Sequence, residues 1–121
     1  MVPGQYDFIL YQGTNDGLTF SLTSNNVPLN LTGYDVRMQI RKNYDSNTTY
    51  FVASTLLTVP NIVVTPLLGK IQVYIYPDDT SVIPFKGDSL ECVYDIEIID
   101  NLGEVTRVLM GNVTISREVT R

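Results

Sequence analysis

The chain contains no histidine and no tryptophan, and its only cysteine is Cys92. Without histidine there is no neutral-pH base to activate a serine or cysteine nucleophile, and no imidazole for a zinc or copper site. A single cysteine excludes an internal disulfide. In the apolar run Cys92-Val93-Tyr94 it reads as a buried thiol acting as a small hydrophobe. Charge is scarce as well, at 17% of residues, against roughly 25% in an average soluble domain. Thirteen acidic and eight basic residues leave a net charge of −5. That balance offers no basic face for nucleic acid and none for an anionic membrane. No run approaches the roughly 20 apolar residues of a membrane helix. The opening Met1-Val2-Pro3-Gly4-Gln5 lacks the basic stretch and apolar run of an export segment, so the expectation is a product made and folded in a cytosol.

Catalytic and metal patterns are missing too. There is no glycine-flanked nucleophile elbow and no phosphate-cradling glycine loop. Asp78-Asp79, and Asp100 with Asn101 and Glu104, are the only oxygen clusters that could suit calcium. Neither follows a calcium-loop pattern, and helix-cap and hairpin chemistry account for both. Asp95 and Glu97 lie two apart in an alternating stretch, as on a solvated strand face rather than a glycosidase pair. The expectation is a protein with no enzyme activity, no cofactor and no metal.

What is present is β-branched and aromatic. Val, Ile, Thr, Tyr and Phe fill the apolar runs, and turn residues recur about every ten positions. At 121 residues the chain suits one domain, 1–121, with one core. Tyr6–Tyr11 predicts a first strand, Thr14–Gly17 a turn, and Leu18–Thr23 a half-buried strand with Leu18, Phe20 and Leu22 inward. The clearest strand runs from Tyr34 to Lys42. Tyr34, Val36, Met38 and Ile40 face the core; Asp35, Arg37, Gln39 and Arg41 face out. Tyr50–Leu57 predicts another strand. Asn61–Thr65, between Pro60 and Pro66, predicts an edge strand. Gly69–Tyr76 alternates again, with Ile71, Val73 and Ile75 opposite Gln72, Tyr74 and Tyr76. One helical turn is expected near 78–83. The last two strands, Glu91–Asp100 and Glu104–Ser116, form a hairpin through Asn101-Leu102-Gly103, with Gly111 as a candidate bulge. The fold class is therefore all-β: an immunoglobulin-like β-sandwich of seven or eight antiparallel strands, with an eight-stranded barrel as its rival. Three Asn-x-Thr triplets, at Asn30, Asn47 and Asn112, read as turn and strand chemistry.

Tyrosine is enriched, with eight copies, and outward tyrosines anchor protein interfaces at low entropic cost. Two candidate partner-binding regions follow. One is the outer face with Tyr74 and Tyr76. The other is the outer face with Arg37, Gln39 and Arg41, where guanidinium groups could meet acidic partners. Met1–Gln5 and the last few residues are either free tails or arms that lock onto neighbours.

Several stretches carry a resemblance. They are Tyr6-Asp7-Phe8 to Tyr11-Gln12-Gly13, Leu31-Thr32-Gly33-Tyr34 running into Val36–Arg41, and Tyr94–Ile98. Gly103-Glu104-Val105-Thr106-Arg107, Gly111–Ile115 and Glu118–Arg121 complete the set. Together they resemble a family of small virion structural proteins of tailed bacteriophages and prophages, cyanophages included. The Leu-Thr-Gly element before a strand is similar to that of the sandwich-bearing N-terminal domains of some phage baseplate proteins. The resemblance implies a virion component of immunoglobulin-like fold with no catalytic residues. It would bind other virion proteins as a symmetric oligomer or as lattice-bound copies. The neck, tail or baseplate is the leading setting, and a decoration or cement protein on the capsid the alternative. A receptor- or carbohydrate-binding adhesion module is the rival from another class. The chain departs from the family pattern at Asn15-Asp16-Gly17, expected as a loop insertion, and around Pro60–Pro66.

Overall fold

The structure is a computed structural model that describes residues 3–119. Its strands are β1 (Gly4–Gln5), β2 (Phe8–Tyr11), β3 (Asp16–Ser21), β4 (Thr23–Ser24), β5 (Val27–Pro28), β6 (Asp35–Arg41), β7 (Thr49–Ser54), β8 (Ile62–Thr65), β9 (Lys70–Ile75), β10 (Ser89–Ile99) and β11 (Val105–Ser116). A 3-10 turn, Pro66–Leu68, precedes β9, and a helical turn, α1 (Pro77–Ser81), follows it. The large sheet runs β1-β11-β10-β6-β7, with β2 also on β11; the small one runs β3-β9-β8. The layering is that of an all-β sandwich, with three strands facing a sheet centred on the final hairpin.

The period-2 pattern explains the layering. Val36, Met38 and Ile40 of β6, Tyr94, Ile96 and Ile98 of β10, and Ile71, Val73 and Ile75 of β9 are all buried in one cluster. Cys92 is buried in that cluster as well. Burial pushes its thiol up to about 11, with Glu91 adding to the shift, so the reactive thiolate is suppressed.

The first strand departs from expectation in two ways. It is parallel to β11, not antiparallel, and it is interrupted at Tyr6–Asp7. The interruption has a cause in Gly111. A side chain there would run into the Tyr6 carbonyl oxygen. Glycine lets that carbonyl approach, and it accepts the Tyr94 hydroxyl at 2.5 Å. Gly111 is thus not a bulge. The register shift lies instead opposite Ile96/Glu97, where Val108 is the extra residue. Asp16 and Gly17, expected within a turn, instead open β3 and pair with Ile75 and Tyr74. The strand expected over Tyr50–Leu57 spans Thr49–Ser54, leaving Leu56 and Leu57 exposed in the following turn. β4 and β5 form a tight hairpin turned by Asn25 and Asn26, which take φ of 53° and 65°. The possible N-terminal arm is partly docked, because Gly4–Gln5 pair with the chain's own β11. Met1, Val2, Thr120 and Arg121 lie outside the described residues.

Two polar side chains stitch the sheets where no ladder joins them. Asn61, just before β8, accepts the Ser54 N–H at 2.9 Å and donates to the Val52 carbonyl at 3.1 Å. It therefore imitates a neighbouring strand along β7. After β2, the Gln12 amide nitrogen lies 3.3 Å from the carbonyls of Thr80 and Ile83, while Gly13 N–H donates to the buried Thr80 hydroxyl at 2.8 Å. Among the described residues no ladder pairs β7 with β8 or β2 with β3, so the molecule is a sandwich and not a closed barrel.

Candidate interaction surfaces

Arg37, Gln39 and Arg41 share the outer face of the large sheet because they alternate along β6. Register sets Glu97 opposite both Arg37 and Arg107, and Asp95 opposite Gln39. The resulting contacts are internal. Arg37 Nε meets Glu97 Oε1 at 2.7 Å, and Arg107 Nε meets Asp95 Oδ2 at 3.1 Å. Arg41 donates to Gln39 Oε1 through Nε at 3.0 Å and Nη2 at 2.7 Å, and to the Ser46 carbonyl at 2.8 Å. The arginines are thus already engaged with their own sheet. Burial raises the Asp95 carboxyl above the ordinary carboxylate range, and Glu97 adds to this; Arg107 and Arg37 pull it back.

Two hollows indent this face. One, of about 220 Å3, is bordered by Arg41, Tyr44, Val93 and Arg107. The other, of about 470 Å3, is bordered by Arg37, Val52, Leu56 and Leu57. Gln39, Asp95 and Glu97 line both. The sequence pattern points to the polar row but not to Leu56 and Leu57. Those two belong to a turn, where no period marks their direction.

Tyr74 projects from β9, and Tyr76 from the junction between β9 and α1, on the opposite side of the sandwich. Their rings are stacked, with centroids 6.4 Å apart and planes 13° apart. They are 38% and 51% exposed, which leaves one side of the pair free for a partner. The two contact regions expected from the sequence therefore look away from each other and cannot form one site.

The candidate calcium clusters serve local structure. Asp79 accepts the Tyr76 N–H at 2.7 Å at the start of α1. Asp100 Oδ1 accepts the N–H groups of Leu102 and Glu104, both at 2.9 Å, in the hairpin loop. Among the described residues no group of three acidic or thiol side chains is gathered to hold a metal ion. Asn30, in the first of the Asn-x-Thr triplets, accepts from the N–H and hydroxyl of Thr32 at 3.0 and 2.6 Å, closing a local turn. No family model matches the chain, and neither does any curated protein.

Proposed function

We propose that the chain is a non-enzymatic structural subunit of a tailed-phage virion, binding other virion proteins at the neck, tail or baseplate. The observation that carries the reading is the back-to-back placement of its two candidate contact regions. A subunit with contacts on opposite sides can touch one neighbour on each side, as a ring or layered assembly requires. Its low charge lowers the cost of desolvating those faces. The virion setting rests on the sequence resemblance. Antibody labelling of purified particles by electron microscopy tests it. Label at the neck, tail or baseplate supports the reading. Label spread over the head would make it a capsid decoration protein, and absence of label from particles would overturn the virion reading.

The Tyr74–Tyr76 pair favours a second reading, since parallel exposed rings are a stacking platform for sugar rings. Binding to a glycan array that is lost in Tyr74→Ala would move the chain to the adhesion class.

A further inference from the structure

We propose that the free edge of β3 receives an extended segment of a partner polypeptide, which adds to the small sheet as a fourth strand. This rests on the reading of the chain as a partner-binding subunit and says where and how one partner is held.

Among the described residues the small sheet ends at β3, which pairs with β9 alone. Tyr74 N–H donates across to the Asn61 carbonyl on the β8 side at 2.8 Å. By alternation, Ile71, Val73 and Ile75 aim their main-chain groups at β3, where they meet Phe20, Leu18 and Asp16. Gly17, Thr19 and Ser21 must then turn their N–H and C=O groups away from the sheet. The Gly17 N–H folds back onto the Asp16 carboxylate at 3.0 Å. Among the described residues no hydrogen bond reaches the main chain of Thr19 or Ser21 on that side. Beside this edge the sheets part over a groove of about 410 Å3, lined by Tyr6, Gly17, Leu18, Thr19, Phe20 and Leu109.

Three other edges are guarded. β8 is four residues long and closely flanked by Pro60 and Pro66. β7 has its outward Val52 and Ser54 groups occupied by Asn61. β1 is two residues long and separated from β2 by the Tyr6–Asp7 interruption. The β3 edge has no proline, no basic residue and no register shift.

These features select the occupant. Outward main-chain groups at alternate residues match only another extended main chain. The groove asks that chain for apolar side chains at alternate positions, directed between Tyr6 and Leu109. The β3 of a second copy does not meet this request. Its Leu18 is buried in its own core, and its Phe20 packs against that core. A lone extended segment has both its hydrogen-bonding edge and its apolar side chains free.

The test uses the full chain, labelled with nitrogen-15, and a short blocked peptide of alternating valine and threonine closed by lysines. Saturable amide shifts are expected at Gly17, Thr19, Ser21, Tyr6 and Leu109. Exchange of the Thr19 and Ser21 amides should slow by roughly tenfold or more. The same peptide N-methylated at every second residue should have no effect. Thr19→Pro, which removes an outward donor, should abolish binding and leave the thermal melt near that of the parent. If that variant fails to fold, the N-methylated peptide on the parent chain decides. Absence of shifts at millimolar peptide, insensitivity to N-methylation, or shifts centred on Arg37 and Glu97 would overturn the proposal. So would a dimer, seen by light scattering, that Thr19→Pro dissolves, since the edge would then belong to a second copy. Particle labelling is read independently, so loss of the edge site and loss of the virion reading are separate results.

Discussion

At the β7–β8 seam one asparagine bridges the two sheets, whereas between β1 and β3 the same sheets part over an apolar groove. Both places pose the same physical problem. A sandwich exposes unpaired main-chain groups wherever its sheets end, and each such edge invites another strand. Asn61 solves it with one side chain that both accepts and donates along β7. At β3 nothing solves it within the described residues. Closure here is therefore local and is supplied by single polar side chains, not by the sheets themselves. An edge left without such a side chain is where an incoming strand finds the least competition.

The largest expected effect lies beside the open seam. Gly111→Ala would force the Tyr6 carbonyl away from the Tyr94 hydroxyl and loosen β1 from β11. It should cost about 3 kcal/mol in urea denaturation, as overpacking of a tight site does. A loss near zero would mean that the approach of Tyr6 to Gly111 does not hold the first strand. At the closed seam, Asn61→Ala removes two hydrogen bonds and should cost about 2 kcal/mol. Asn61→Asp keeps the acceptor but loses the donor, so it should fall between parent and Asn61→Ala.

Alkaline titration probes the same core. Burial raises the Cys92 thiol from 9.0 to about 11 in the folded state. Burial also lifts the Tyr94 hydroxyl above its ordinary value, with Asp7 and Tyr6 adding to the shift. The folded state therefore keeps protons that the unfolded chain releases. Their contribution to stability is full below pH 9 and is lost as the pH climbs toward 11 and beyond. Denaturation across that range should show falling stability, and Cys92→Ala with Tyr94→Phe should flatten the slope. The thiol should also resist a disulfide reagent until denaturant is added.

Smaller still is Thr19→Pro, expected within about 0.5 kcal/mol of the parent, because no internal ladder bond is lost. A cost matching that of Asn61→Ala would erase the contrast between the seams. Asp95→Asn should change stability by about 0.5 kcal/mol or less. Burial and Glu97 oppose the charged form that Arg107 and Arg37 favour, so removing the charge loses little.

Much of the fold was legible in alternation. β6, β9 and β10 bury the residues that their period assigns inward, and Arg37, Gln39, Arg41, Tyr74 and Tyr76 face outward as that period requires. The hairpin turn and the edge position of β8 were legible from glycine and proline. The first strand was misread because parallel pairing with β11 is decided about a hundred residues away. Asp16-Gly17 looks like a turn by residue type, yet Gly17 must be small where a side chain would strike the Val73 carbonyl across the ladder.

The all-β class and the inward and outward rows are written in the residues themselves. Each of these follows from residue type and a period of two. Strand pairing across the fold engages the arginines within their own sheet and sets the two contact regions back to back. It also decided that Asn61 closes one seam while β3 leaves another open. Those outcomes depend on which strands become neighbours, and neighbour choice is a property of the whole folded chain rather than of any local stretch.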